Sequence, residues 1–282
     1  MLRSILVGLD GSRGSQVALA WALDLATWHS ARLELARAGE EDVLDAPQAE
    51  VQTDEPPHLP LPELDMDEEP DEAPPPDAIA DPDIAAAIEA CRTRGVAWVA
   101  RRMIGVPADR LAARARAVDL VAVGRRTTPG QPLLTRPGLA VGRLLEGPGR
   151  ALLTTTEQYR EPAGIVAAYD RSEASLRALS WAAETAPLAR LPLELTVVAS
   201  TDWEQAAAER EARAYLRPHH LRDLAVSRLR TFAELAGALA LRPPEYLFVL
   251  GNTPPGCLAR LFRRHPLIPV LSTCRAPIVV VK

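Results

Sequence analysis

Short, unbroken apolar runs alternate along this chain with longer stretches whose apolar residues recur every three or four positions. SILVGL, from Ser4, reads as a strand, and 15–29 as a helix with Val17, Trp21, Leu25 and Trp28 on its apolar side. RLELARA reads as a second strand, 83–94 as a helix and VAWVARRMI as a third strand. Pro107 opens a short helix with Asp109 in its first turn, where a carboxylate suits the helix dipole. DLVAV, a helix over 138–146 and RALLTTT complete the series. Strands that are apolar throughout belong to parallel sheets covered on both faces, so the pattern predicts an α/β fold.

The pattern then starts again. VGLDGSRGSQVALAWAL from Val7 aligns without a gap to AAYDRSEASLRALSWAA from Ala167, pairing Asp10 with Asp170, Ser12 with Ser172, Ser15 with Ser175 and Trp21 with Trp181 at a constant offset of 160. The same offset carries LEL at 33–35 onto LEL at 193–195, and DLVAVG at 119–124 aligns with YLFVLG at 246–251 at an offset of 127. A fixed offset over this length marks a duplicated unit, so the chain divides into 1–160 and 161–282. The second unit ends in PIVVVK, and its helix over 203–217 is rich in charge, which predicts one solvated face.

One segment breaks the alternation. Residues 40–83 hold 17 acidic residues, ten prolines and no Lys or Arg, and they account for most of the length difference between the units. Too little apolar surface is available there to offset the entropy of ordering, which predicts a disordered insertion. The formal net charge of −5 therefore conceals a body of +12 attached to an acidic segment. Two readings of the segment stand: a solvated surface loop, and an arm that folds over a basic face.

Composition narrows the function classes. No apolar stretch approaches the roughly 20 residues of a membrane span, and MLRSILVGLDGS has no secretory h-region or cleavage site. Cys91, Cys257 and Cys274 are odd in number and show no CxxC spacing, so disulfide and zinc frameworks are not expected and the cytoplasm is the expected location.

The stretches ILVGLDGS, RLEL, GVPADRLAARARAVDLVAVGRR and GLAVGRLLEGPGRALLTT, echoed by GIVAAYDRSEAS and CRAPIVVVK, resemble the universal stress protein family over nearly the whole chain outside 40–83. The resemblance implies two tandem Rossmann-like domains. Each is a five-stranded parallel sheet of order 3-2-1-4-5 with helices on both faces. It also implies an internal pseudo-dimer in which the fifth strands, 150–156 and 277–282, pair edge to edge, removing two exposed edges. A further homo-oligomer is compatible with it; a protein partner is not identified, and nothing calls for a membrane.

The nucleotide-binding branch of the family carries Gly, two residues, Gly, nine residues, then Gly with Ser or Thr. The first glycines let backbone approach phosphate, and the last opens a helix whose free N–H groups hold the anion. Ligands of such sheets lie where the strand order reverses. Gly124 matches the first glycine. Gly138 matches the third one residue late, and Leu139 replaces the hydroxyl residue. Pro129, Pro132 and Pro137 remove N–H donors. In the second unit Gly251 is retained, but Pro254 and Pro255 follow, and Arg264–His265 stand at the terminal position. The resemblance thus implies a degenerate ATP site formed by Asp10, Gly124, Arg126 and Gly138.

Asp10 and Asp170 have a second reading as turn residues capping the first helix of each unit. Trp21 and Trp181 read as core, and His219–His220 as surface histidines, since neighbouring residues point to different helix faces. Arg125, Arg126 and Arg136, with Arg260, Arg263 and Arg264, fall near the strand ends, where guanidinium groups suit phosphate or are simply solvated. No nucleophile–base or metal-ligand motif is present. The expected function is a stress-response regulatory or protective binding protein without catalysis. An ATP-binding switch is the alternative. Nucleic-acid binding, suggested by the basic body, ranks last because no recognition motif accompanies the charge.

Overall fold

In the computed structural model, residues 1–39, 81–125, 139–147, 149, 151–219, 224–252 and 267–282 are described. The strands are β1 (Ser4–Gly8), β2 (Arg32–Gly39), β3 (Trp98–Ile104), β4 (Leu120–Gly124), β5 (Ala151–Thr155), β6 (Gly164–Tyr169), β7 (Leu193–Val198), β8 (Ala225–Leu229), β9 (Tyr246–Gly251) and β10 (Ile278–Val281). The helices are α1 (Arg13–His29), α2 (Pro82–Arg94), α3 (Pro107–Arg114), α4 (Leu139–Glu146), α5 (Glu173–Ala189), α6 (Asp202–Leu216), α7 (Phe232–Leu241) and α8 (Ile268–Thr273), with a 3-10 turn over Arg217–His219.

All ten strands form one sheet, in the order β3-β2-β1-β4-β5-β10-β9-β6-β7-β8. Each half has the expected 3-2-1-4-5 order. Every pairing within a half is parallel, and the halves join where β10 runs antiparallel to β5, with Ile278 opposite Thr154 and Val281 opposite Ala151. The expected pairing of the fifth strands is therefore present, and it turns two five-stranded sheets into one.

Apolar runs such as Leu120–Val123 and Val279–Val281 are buried on both faces because helices cover both. One layer holds α1, α2, α5 and α6, with Trp21, Leu25, Ile88, Ala182 and Ala208 in its core. The other holds α3, α4, α7 and α8 around Leu111, Leu144, Leu235 and Leu271. Trp21 is fully buried as expected, whereas Trp181 is only partly so.

The end of the acidic segment corrects one expectation. Asp81 caps α2, accepting from Asp83 N at 2.9 Å and Ile84 N at 3.3 Å, while Pro82 occupies the first turn. Asp-Pro-Asp is a helix start, so 81–83 are ordered by local capping. Residues 40–80 lie outside the described residues.

The halves also meet through α1 and α5. His29 Nε2 lies 3.1 Å from Thr185 Oγ1, and the N-terminal ammonium pairs with Glu184 at 2.8 Å. In the connection between the halves, Tyr159 donates to Asp24 at 2.8 Å and packs edge-on against Trp21. Burial and this bond to a carboxylate push its phenol up to about 12. No described helix is long and apolar enough to cross a membrane.

Candidate functional site

In each half the strand order reverses beside the first strand, between β1 and β4 and between β6 and β9. A sheet of this kind opens a crevice at the carboxyl ends of those strands.

The turn leaving β1 is organised by Asp10. Its Oδ1 accepts from Ser12 N at 3.0 Å, Ser12 Oγ accepts from Ser15 N at 3.1 Å, and Ser15 Oγ donates to Ser12 O at 2.8 Å. In the second half Asp170 accepts from Ser172 N at 3.0 Å, Ser172 Oγ accepts from Ser175 N at 3.1 Å, and Ser175 Oγ donates to Ser172 O at 2.9 Å. Both aspartates thus satisfy free N–H groups at a helix start.

Gly124 ends β4 against the first turn of α1. A Cβ there would lie 2.8 Å from Gly14 C and 2.9 Å from Ser15 N. At Gly251 the corresponding distances are 2.4 Å to Ala174 C and 2.5 Å to Ser175 N. These are backbone atoms and cannot yield, so helix–strand packing alone requires glycine at both positions.

An arginine–carboxylate pair flanks each turn. In the first half Arg37, near the end of β2, contacts Asp81 at 2.8 Å and Asp83 at 2.5 Å. Asp83 Oδ2 lies 2.9 Å from where a Cβ of Gly11 would stand. In the second half Arg171 replaces Gly11, keeps its left-handed backbone at φ 68°, and forms a two-bond pair with Glu211 at 2.9 and 2.7 Å. A shallow cleft of about 10 Å³, partly open to solvent, lies beside Asp170 and Ser175, walled by Tyr169, Val198, Phe232 and Leu235 and floored by Gly251.

Arg125 behaves differently from either reading of the loop arginines. It is 3 % exposed and donates to the carbonyls of Cys274 and Ala276, the latter at 3.0 Å, and to Thr154 at 3.4 Å. It is neither solvated nor at a ligand face, because the β5–β10 pairing brings a carbonyl-rich turn over it. Sequence reasoning also missed Asn252, which occupies the equivalent position and donates to Leu145 O at 3.1 Å, and Lys282, which donates to Leu144 O and Gly147 O. The offset of 127 was the available signal: it aligns Arg125 with Asn252.

The remaining expected site residues, Arg126 and Gly138, lie outside the described residues, as do Arg136, Arg260, Arg263, Arg264, His220 and Cys257. Burial pushes the Cys91 thiol up to about 11 and raises that of Cys274, so neither is a ready thiolate. Among the described residues no group of three or more His, Cys, Asp or Glu is placed to hold a metal ion.

This architecture defines a doubly wound α/β protein made of two joined halves, each with a crevice at its strand ends. The model of the universal stress protein family matches residues 1–140, and the chain belongs to that family. Over 99 % of this chain and 98 % of the other, the structure is similar to a universal stress protein from Archaeoglobus fulgidus DSM 4304, with a TM-score of 0.66 and 12 % identity. A functionally unknown protein from Pseudomonas aeruginosa PAO1 is similar over 100 % of this chain and 92 % of its own, with a TM-score of 0.64 and 18 % identity. The cytoplasmic domain of a prokaryotic cation chloride cotransporter is similar over 99 % and 95 %, with a TM-score of 0.55 and 10 % identity. These likenesses establish the fold. No curated protein matches the sequence.

Proposed function

We propose that the chain is a cytoplasmic, non-catalytic regulatory or protective binding protein of the stress response, with 1–160 and 161–282 as its two units. In this reading the strand-end site of Asp10, Gly124, Arg126 and Gly138 binds ATP weakly, as a degenerate form of a nucleotide site. The observation that carries it is the local commitment of the groups such a site would use. Asp10 already accepts from the turn into α1, and Gly124 is required there by packing against Gly14 and Ser15. Neither residue needs a nucleotide to account for it. The prolines of the loop following Gly124 point the same way, since each removes a donor from a phosphate cradle.

The test is calorimetric titration with ATP and Mg²⁺, supported by thermal shift. Weak or absent binding is expected, with little change in Tm at about 1 mM nucleotide, because stabilisation follows the ratio of ligand concentration to Kd. Micromolar binding abolished by Gly138→Trp would overturn the proposal in favour of an ATP-binding switch.

A further inference from the structure

We propose that β10 couples the ends of α4 and α8, so that the two halves respond as one. The observation is a reciprocal set of cross-half contacts, all made by residues next to strand ends.

From the first half, Arg125 follows directly on β4. Its buried guanidinium holds the carbonyls of Cys274 and Ala276, in the turn between α8 and β10. Thr156 Oγ1 adds a bond to Arg275 O at 2.7 Å in the same turn. The start of β10 is therefore gripped by the first half. From the second half, Lys282 follows directly on β10 and donates to Leu144 O and Gly147 O, at the carboxyl end of α4. Asn252, which follows β9, donates to Leu145 O at 3.1 Å and takes Val281 O through its own backbone N–H at 2.7 Å. The far end of β10 thus holds α4.

The four residues between these grips are an extended strand, paired to β5 on one side and β9 on the other. A strand paired on both sides does not stretch or slip by part of a residue without breaking ladder bonds. Displacement at one grip is therefore carried to the other. The carbonyls at the end of α4 have no partners within the helix, so Lys282 and Asn252 supply a positive charge and donors where the dipole favours them. Arg125 does the same for the turn after α8. Arg125 and Asn252 each follow directly on the glycine that ends a crevice-bordering strand, β4 or β9, so ligand linkage between the halves would follow. That consequence rests on the crevices being ligand sites, as proposed above; the coupling of the helices does not.

The experiment is hydrogen exchange on the ligand-free full chain, read in peptides covering 139–147 and 267–276. Lys282→Met acts directly on the end of α4, and Arg125→Lys on the turn after α8 and on Thr154 of β5; neither touches the other's helix. Coupling predicts that each variant raises exchange about threefold or more in both peptides, with a control peptide covering 225–229 unchanged. A rise confined to the peptide each variant touches would overturn the proposal. So would a uniform rise that includes the control, which reports general destabilisation. Lys282→Met decides the matter alone if Arg125→Lys does not fold. Its readout is then the rise in 267–276.

Discussion

His29 Nε2 stands 3.1 Å from Thr185 Oγ1, joining α1 of one half to α5 of the other across 156 residues of sequence. The Thr185 hydroxyl donates to Trp181 O at 2.8 Å, so it accepts from His29, whose Nδ1 faces Leu2 N at 3.4 Å. The ring is therefore neutral with its proton on Nε2. Burial first, then the nearby N-terminal ammonium, lowers its pKa from 6.5 to about 4, while Glu184 opposes the shift. A neutral ring in the folded state and a protonated one in the unfolded state make stability fall as pH drops from about 6.5 towards 4. Between about pH 7.5 and pH 5 the loss from this group is about 2 kcal/mol. Urea unfolding at both pH values should show His29→Gln losing about that much less than the parent. Equal slopes would mean that His29 is protonated in the folded protein.

The two packing glycines make a contrasting set with the helical ones. Gly124→Ala and Gly251→Ala force a methyl group into the backbone of α1 and α5, and each should destabilise by about 3 kcal/mol. Gly142 and Gly237 lie in helices with nothing within 4 Å of an added Cβ. Gly142→Ala and Gly237→Ala should each stabilise by about 0.5–1 kcal/mol. Thermal unfolding of the four variants checks the ordering, and a tolerated alanine at either Gly124 or Gly251 would refute the packing argument.

Glu34 lies beneath α3 with its side chain 2 % exposed, held by Arg114 at 2.6 Å and Arg101 at 3.0 Å. The bond to Glu34 raises the Arg114 pKa, as expected for a guanidinium facing a buried carboxylate. Arg114→Ala leaves that charge under-compensated and should cost about 3 kcal/mol. The corresponding pair, Glu194 and Arg242, is 22 % and 35 % exposed, so Arg242→Ala should cost about 1 kcal/mol. Chemical denaturation distinguishes the two; equal losses would show that burial of Glu34 is not what sets the difference.

Asp10 and Asp170 accept from equivalent backbone N–H groups at the same distance of 3.0 Å. Asp10→Ala and Asp170→Ala should therefore lose similar stability, about 1 kcal/mol each, while asparagine at either position retains the acceptor and loses little. A much larger loss at one of the two, measured by denaturation, would break the equivalence.

The alternation of apolar runs and helical spacing was enough to read five strands in the first unit, because parallel strands buried on both faces leave a strong pattern, and the constant offset carried that pattern to the second unit. The equivalence of Asp10 and Asp170 was legible for a similar reason: a capping turn is local, and all of its atoms come from six consecutive residues. Arg125 was not legible. An arginine after a glycine at a strand end has the local chemistry of a phosphate ligand, and only the approach of Cys274 and Ala276 gives it another partner. The same holds for Lys282, whose carbonyl partners are 135 and 138 residues away. Asp81–Asp83 were misread for the opposite reason: the acidic, proline-rich composition of the preceding segment masked three residues that form an ordinary helix start.

The antiparallel junction of β5 with β10 has an evolutionary consequence. When two identical chains meet through such a junction, any substitution in one cleft appears in both. Joining the halves in a single polypeptide removes that constraint while preserving the contact. Arginine at 125 and asparagine at 252, or glycine at 11 and arginine at 171, are divergences that a symmetric assembly of identical subunits does not permit. The fused chain is free to specialise one face while the other maintains the fold.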